Sequence, residues 1–117
     1  MAEGYINQTW NNSDTGYCKM PDGTLMQWGW LQRTVASSGS QWSGTDFYYV
    51  AYGDIDFPIS FVGSVYVSLT PGRQNSFFVI NSGSEASKIK DIYIAKPSAF
   101  STSVEYAMFW TAFGRWK

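Results

Sequence analysis

Two short stretches carry the residue types that could hold a ligand. The first is Gln41-Trp42-Ser43-Gly44-Thr45-Asp46, running on into Tyr48 and Tyr49. The second is Arg73-Gln74-Asn75, directly behind Pro71-Gly72. An aromatic face suits the C–H surface of a sugar ring, while Asp, Asn, Gln and Arg offer hydrogen-bonding groups for its hydroxyls. Gln41, Trp42, Asp46, Tyr48, Tyr49, Arg73, Gln74 and Asn75 are therefore the candidate binding residues. Plainer readings stay open beside this one: Trp42 folded onto the core or held in a subunit interface, and Arg73 as a solvated turn residue. Asp54 and Asp56 flank Ile55 on one strand and so share a face. Like charges this close read as a solvent-facing pair rather than a catalytic dyad or a calcium site.

Other chemistries are closed by composition. The 117 residues include no histidine, which removes imidazole-activated nucleophiles and imidazole metal sites. Cys18 is the single cysteine, so neither an internal disulfide nor a cysteine zinc site can form. It sits between Tyr17 and Lys19 and reads as a small core residue. No catalytic residue, metal or cofactor is expected. The net charge of −1 and the absence of a Lys/Arg cluster argue against nucleic acid. No apolar run reaches the roughly 18–20 residues of a membrane span, and no signal-peptide pattern precedes the domain.

The elements that must position these residues are strands. Pro21-Asp22-Gly23 is turn chemistry: proline presets φ, the Asp side chain bonds nearby backbone, and glycine accepts φ > 0. It joins a strand at Thr15–Met20 to one at about Thr24–Arg33. There Met26, Trp28 and Trp30 alternate with Leu25, Gln27, Gly29 and Leu31. Gly29 is expected to admit a neighbouring backbone or ring. Further strands are expected over Asp46–Asp56, Ser64–Thr70, Phe77–Asn81, Lys90–Ala95 and Val104–Arg115. Phe57-Pro58 should end one of them, since proline cannot donate to a ladder. Ser82–Lys88 reads as a polar loop. No window shows a helical period. The reading is all-β: a single antiparallel β-sandwich of about seven short strands over residues 15–117, behind an extended arm or linker remnant at 1–14. Aromatic residues make up 19% of the chain, more than one small core has room for, so some rings belong at an interface or ligand surface.

Three stretches occur in order: Gly23-Thr24-Leu25-Met26-Gln27-Trp28-Gly29 early, Asp56-Phe57-Pro58-Ile59-Ser60-Phe61 before Ser64-Val65-Tyr66-Val67, and Phe109-Trp110-Thr111-Ala112-Phe113-Gly114 near the end. Together they resemble the C-terminal head domain of bacteriophage tail fibres and related receptor-binding proteins, over about Gly16 to Gly114. The corner and strand pattern is also similar to H-type lectins. The resemblance implies a homotrimer at a fibre tip, joined to the rest of the tail fibre and binding host cell-surface saccharide or protein. It implies a virion location and synthesis in the bacterial cytoplasm. Gln27, Trp28, Phe57, Pro58, Trp110 and Gly114 are then scaffold residues, with Trp28 and Trp110 both expected in the core. The lack of histidine means that no lectin ligand set carries over. Two rivals remain: a structural trimeric tip or assembly domain without a glycan ligand, and a glycan-cleaving fragment, which would need an acid and a base in a deep groove.

Overall fold

Alternating side chains and turn residues at short intervals leave this chain one way to bury its apolar surface, sheet against sheet. The computed structural model describes residues 7–12, 15–35, 37–72, 76–102 and 104–117, with the side chains of residues 7–12, 81 and 82 outside that description. Nine strands form among them: β1 (Asn7–Asn12), β2 (Thr15–Lys19), β3 (Thr24–Thr34), β4 (Ser40–Gln41), β5 (Tyr48–Asp56), β6 (Val62–Pro71), β7 (Phe77–Ser84), β8 (Lys88–Lys96) and β9 (Glu105–Arg115). They build two antiparallel sheets, ordered β1-β2-β3-β9-β6 and β4-β5-β8-β7.

The count is nine rather than seven. The two additional strands carry no apolar alternation that a sequence could betray. β1 is Asn-Gln-Thr-Trp-Asn-Asn within the expected arm, held as an edge by its ladder to β2. β4 is two residues long and pairs only with Tyr48 and Tyr49. The loop expected at Ser82–Lys88 shortens as well. β7 continues to Ser84 through a bulge after Ile80, with Gly83 at φ 93°, before turning at Glu85–Lys88.

The Pro-Asp-Gly turn closes as its chemistry predicts. Asp22 Oδ1 accepts the Thr24 N–H at 2.8 Å and Gly23 stands at φ 100°. The chain end returns to the same turn. Trp116 donates its backbone N–H to Gly23 O at 2.9 Å and its indole N–H to Met20 O at 2.8 Å.

Both sheets contribute to one core, from Leu25, Met108, Trp110 and Ala112 on one side and Val50, Tyr52, Ile55, Ile89, Ile92 and Ile94 on the other. Gly29 does admit a ring: the Trp110 indole occupies the space where a Cβ would stand. Trp28, however, points the other way. It pairs with Thr111 on β9, shares the outer face with Met26 and Trp30, and is only partly buried. The larger apolar set of β3 thus faces outward. Trp110 already fills the room above Gly29, and Gln27 occupies the inward position beside it.

That outer face is continuous across three strands. Phe113 lies between Met26 and Tyr66, and Phe109 between Trp30 and Thr70. Tyr66 is 72% exposed, Phe109 52% and Phe113 48%. The molecule is elongated, 54 × 27 × 19 Å with a radius of gyration of 16.1 Å. A compact chain of this length would have about 13 Å.

Two predictions follow from this packing. Trp110→Ala, which empties a core site, should cost about 3–5 kcal/mol. Trp28→Ala, which strips a partly exposed ring, should cost roughly 1–2 kcal/mol. Urea unfolding of the two variants checks the order; equal losses would place both rings in the core. Tyr52, whose hydroxyl donates to Tyr106 O at 2.6 Å, has its pKa pushed by burial up to about 12, against an opposing pull from Arg33. The raised value stabilises the fold fully below pH ~10, and that contribution is lost as pH climbs toward 12. Unfolding free energy measured across this window should fall more steeply in the parent than in Tyr52→Phe.

Candidate functional site

The second polar stretch of the sequence lies outside the described residues, which stop at Gly72 and resume at Ser76. Arg73, Gln74 and Asn75 therefore have no place in the geometry that follows. The first stretch is well defined. It forms the tip between β4 and β5, closed by Trp42 N–H to Phe47 O at 2.7 Å and Thr45 N–H to Trp42 O at 3.0 Å. The Thr45 hydroxyl adds a bond to Trp42 O at 2.8 Å and accepts the Phe47 N–H at 3.1 Å. Gln41 donates its amide N–H to Thr45 O at 2.9 Å. Gly44 takes φ 77° at the apex, where a side chain would be strained. The Gln41–Asp46 stretch thus forms a short tip held by its own polar groups.

This tip sets Trp42, 43% exposed, against Tyr49 of β5, with ring centroids 5.9 Å apart at 64°. Tyr49 in turn meets Tyr93 of β8 at 5.6 Å and 85°. The three rings, edge to face, make one wall of a cavity of about 380 Å³, floored by Val79 and Ala95 and rimmed by Gln41 and Ser43. On the other side of Trp42 lies a more open and polar depression, lined by Gln41 through Asp46. Trp42 divides an apolar wall from a polar shelf.

Of the sequence candidates, the fold brings together Gln41, Trp42, Asp46 and Tyr49. Tyr48 is not among them: strand alternation turns it to the opposite face, where it packs against the core. Tyr93 and Val79 belong to the site and were not candidates. Tyr93 sits between Ile92 and Ile94, both inward, so its outward direction was readable; its proximity to Trp42 came only with the β4-β5-β8-β7 order. Phe47 and Phe77 meet beside the tip at 5.6 Å and 72°.

The arrangement offers stacking surfaces and hydrogen bonds. Among the described lining residues, Asp46 is the one charged group. Among the described residues no three of His, Cys, Asp and Glu cluster as metal ligands. Asp54, with its side chain 38% exposed, accepts the Asp91 N–H at 2.8 Å and pairs with Lys88 at 3.7 Å. These bonds tie β5 to β8.

No family model matches the chain, and no curated protein matches it. Solved structures do. An N-truncated R1-type pyocin tail fibre is similar at a TM-score of 0.56 and 17% identity, over 94% of this chain and 87% of that one. A P. aeruginosa R1 pyocin fibre fragment is similar at a TM-score of 0.51 and 15% identity, over 94% of this chain. This chain spans 28% of that longer fragment. What the chain shares with these R1 pyocin tail-fibre fragments, at such identities, is the fold.

Proposed function

We propose that this chain is a non-catalytic head domain of a phage-type tail fibre that recognises cell-surface saccharide through the Trp42 cavity. The observation that carries the reading is the Trp42–Tyr49–Tyr93 wall beside a polar shelf, on a fold similar to pyocin tail fibres. Sugar rings present apolar C–H faces and polar edges, and the two sides of Trp42 match that division. Binding is lectin-like: non-covalent, without metal or cofactor. The domain works at the fibre tip of a virion or related particle, with the rest of the fibre and the host surface as its partners.

The homotrimer belongs to the same proposal. Its interface is the outer face of β3, β9 and β6, where Met26, Trp28, Trp30, Tyr66, Phe109 and Phe113 form a flat aromatic surface with Thr111, Ser68 and Thr70 between them. Uncharged surfaces of this kind are typical of subunit contacts rather than of monomers in water. The same face favours a second reading, a structural tip that trimerises and binds no glycan.

A single shallow site of this type binds weakly, with Kd about millimolar, or roughly 4 kcal/mol. Three sites per tip and several fibres per particle raise the avidity through effective concentration.

Adsorption to a panel of bacterial strains separates the readings. The parent should bind some strains, and Trp42→Ala should reduce that binding at least tenfold. Because Trp42 is exposed on a loop, its loss should move stability by less than about 1 kcal/mol. Equal adsorption by parent and Trp42→Ala would put the site elsewhere, and adsorption to no strain would favour the structural tip. Light scattering tests the trimer: the parent should give about three times the 13.2 kDa chain mass, and Phe113→Glu on the outer face should return a folded monomer. A parent that is monomeric at micromolar concentration would count against the trimer.

A further inference from the structure

The two depressions beside Trp42 differ in chemistry, and the difference restricts the ligand. The cavity behind the indole is walled by rings and lined by Val79 and Ala95, a surface that suits stacking, with Gln41 and Ser43 supplying polar groups beside it. The shelf in front carries Ser43, Thr45 and Asp46 and is the more polar of the two. Gln41, Trp42 and Ser43 line both, so the two are contiguous across one side chain. A single pyranose seated on the aromatic wall leaves the shelf in water. Two linked rings use both sides.

Charge narrows the class further. Recognition of a carboxylate or phosphate sugar calls for Arg or Lys, or for converging backbone N–H groups. Among the described residues lining either depression there is no cation, and the one charge is the Asp46 carboxylate. An acidic sugar on the open shelf would meet a like charge, and repulsion at contact distance shifts affinity several-fold even in water. A neutral sugar meets an acceptor for its hydroxyls instead. Of the tip backbone, the N–H groups of Trp42, Thr45 and Phe47 are bonded within the tip and turned from the ligand.

We propose that the ligand is an uncharged saccharide of at least two rings that straddles Trp42, with one ring against the Trp42–Tyr49–Tyr93 wall and the next on the Asp46 shelf. Asp46 acts as the specificity residue that excludes acidic sugars. This rests on the saccharide reading above and names the substrate class of the same site.

The test is a glycan array carrying neutral, uronic-acid, sialylated and phosphorylated saccharides of one to four rings, probed with the parent domain and with Trp42→Ala, Asp46→Asn and Arg73→Ala. The parent should retain neutral saccharides of two or more rings, at least threefold above the matching single rings and above their acidic counterparts. Trp42→Ala should abolish that signal. Asp46→Asn should narrow the gap between neutral and acidic partners, and Arg73→Ala should leave the neutral preference in place. Trp42-dependent binding of acidic saccharides, lost in Arg73→Ala, would overturn the proposal while leaving the saccharide reading intact. Single rings bound as well as longer ones would overturn the straddling geometry. A folded parent that retains no saccharide at all would remove the saccharide reading, and this proposal with it.

Discussion

The structure hangs on the buried carboxamide of Gln27. Its Nε2 donates to Ile59 O at 2.7 Å and its Oε1 accepts the Ile59 N–H at 3.0 Å, so one side chain satisfies both polar groups of a backbone unit in the corner between β5 and β6. A fully buried amide is tolerated only because both ends are used; left unpaired, each would cost about 1–3 kcal/mol. The corner is held from the other sheet as well. Phe57 and Phe61 donate their backbone N–H groups to Ser87 O and Ala86 O in the β7–β8 turn. Around these bonds the rings close up: Phe57 packs on Phe61 at 4.9 Å and on Trp110 at 5.6 Å, and Phe61 covers Gly114 where a Cβ would clash. Three stretches far apart in the chain thus meet at one point. Each glycine there exists because an aromatic ring takes its side-chain space.

That point fixes the inner faces of both sheets and leaves the outer faces to other work. On the five-stranded sheet the outer face is flat and aromatic. On the four-stranded sheet it is concave, because the β4–β5 tip rises over Tyr49 and Tyr93 and turns a sheet surface into a cavity. The unusual aromatic content is therefore shared among core, cavity and flat face, and no single one of them accounts for it.

The rigidity of the tip bears on binding strength. A weak ligand gains little if the loop must first be ordered, since each immobilised side chain costs about 0.5–1.5 kcal/mol. Here the cost has been met during folding. Thr45 links to Trp42 and Phe47, Gln41 links to Thr45, and the Trp42 ring rests on Tyr49 before any ligand arrives. A preformed wall of this sort suits many weak contacts repeated across a particle.

The sequence by itself determined the class of fold, the Pro-Asp-Gly turn, the end of β5 at Phe57-Pro58 and the close approach at Gly29, because each depends on local backbone chemistry. It also marked Trp42 and Asp46 as ligand-type residues in a polar loop. What it did not determine was direction and neighbourhood. Alternation in β3 separates Trp28 from Gln27 but does not say which set faces inward, and here the more apolar set lies outside because Trp110, some eighty residues later, fills the inner space. Tyr48 and Tyr49 are adjacent and alike, yet a half-turn of the strand sends one to the core and the other to the cavity. Tyr93 reaches Trp42 only because β8 pairs with β5, a ladder that no local pattern encodes. Local chemistry acts over a few residues, whereas facing and adjacency are set by whichever distant side chain occupies the shared volume first.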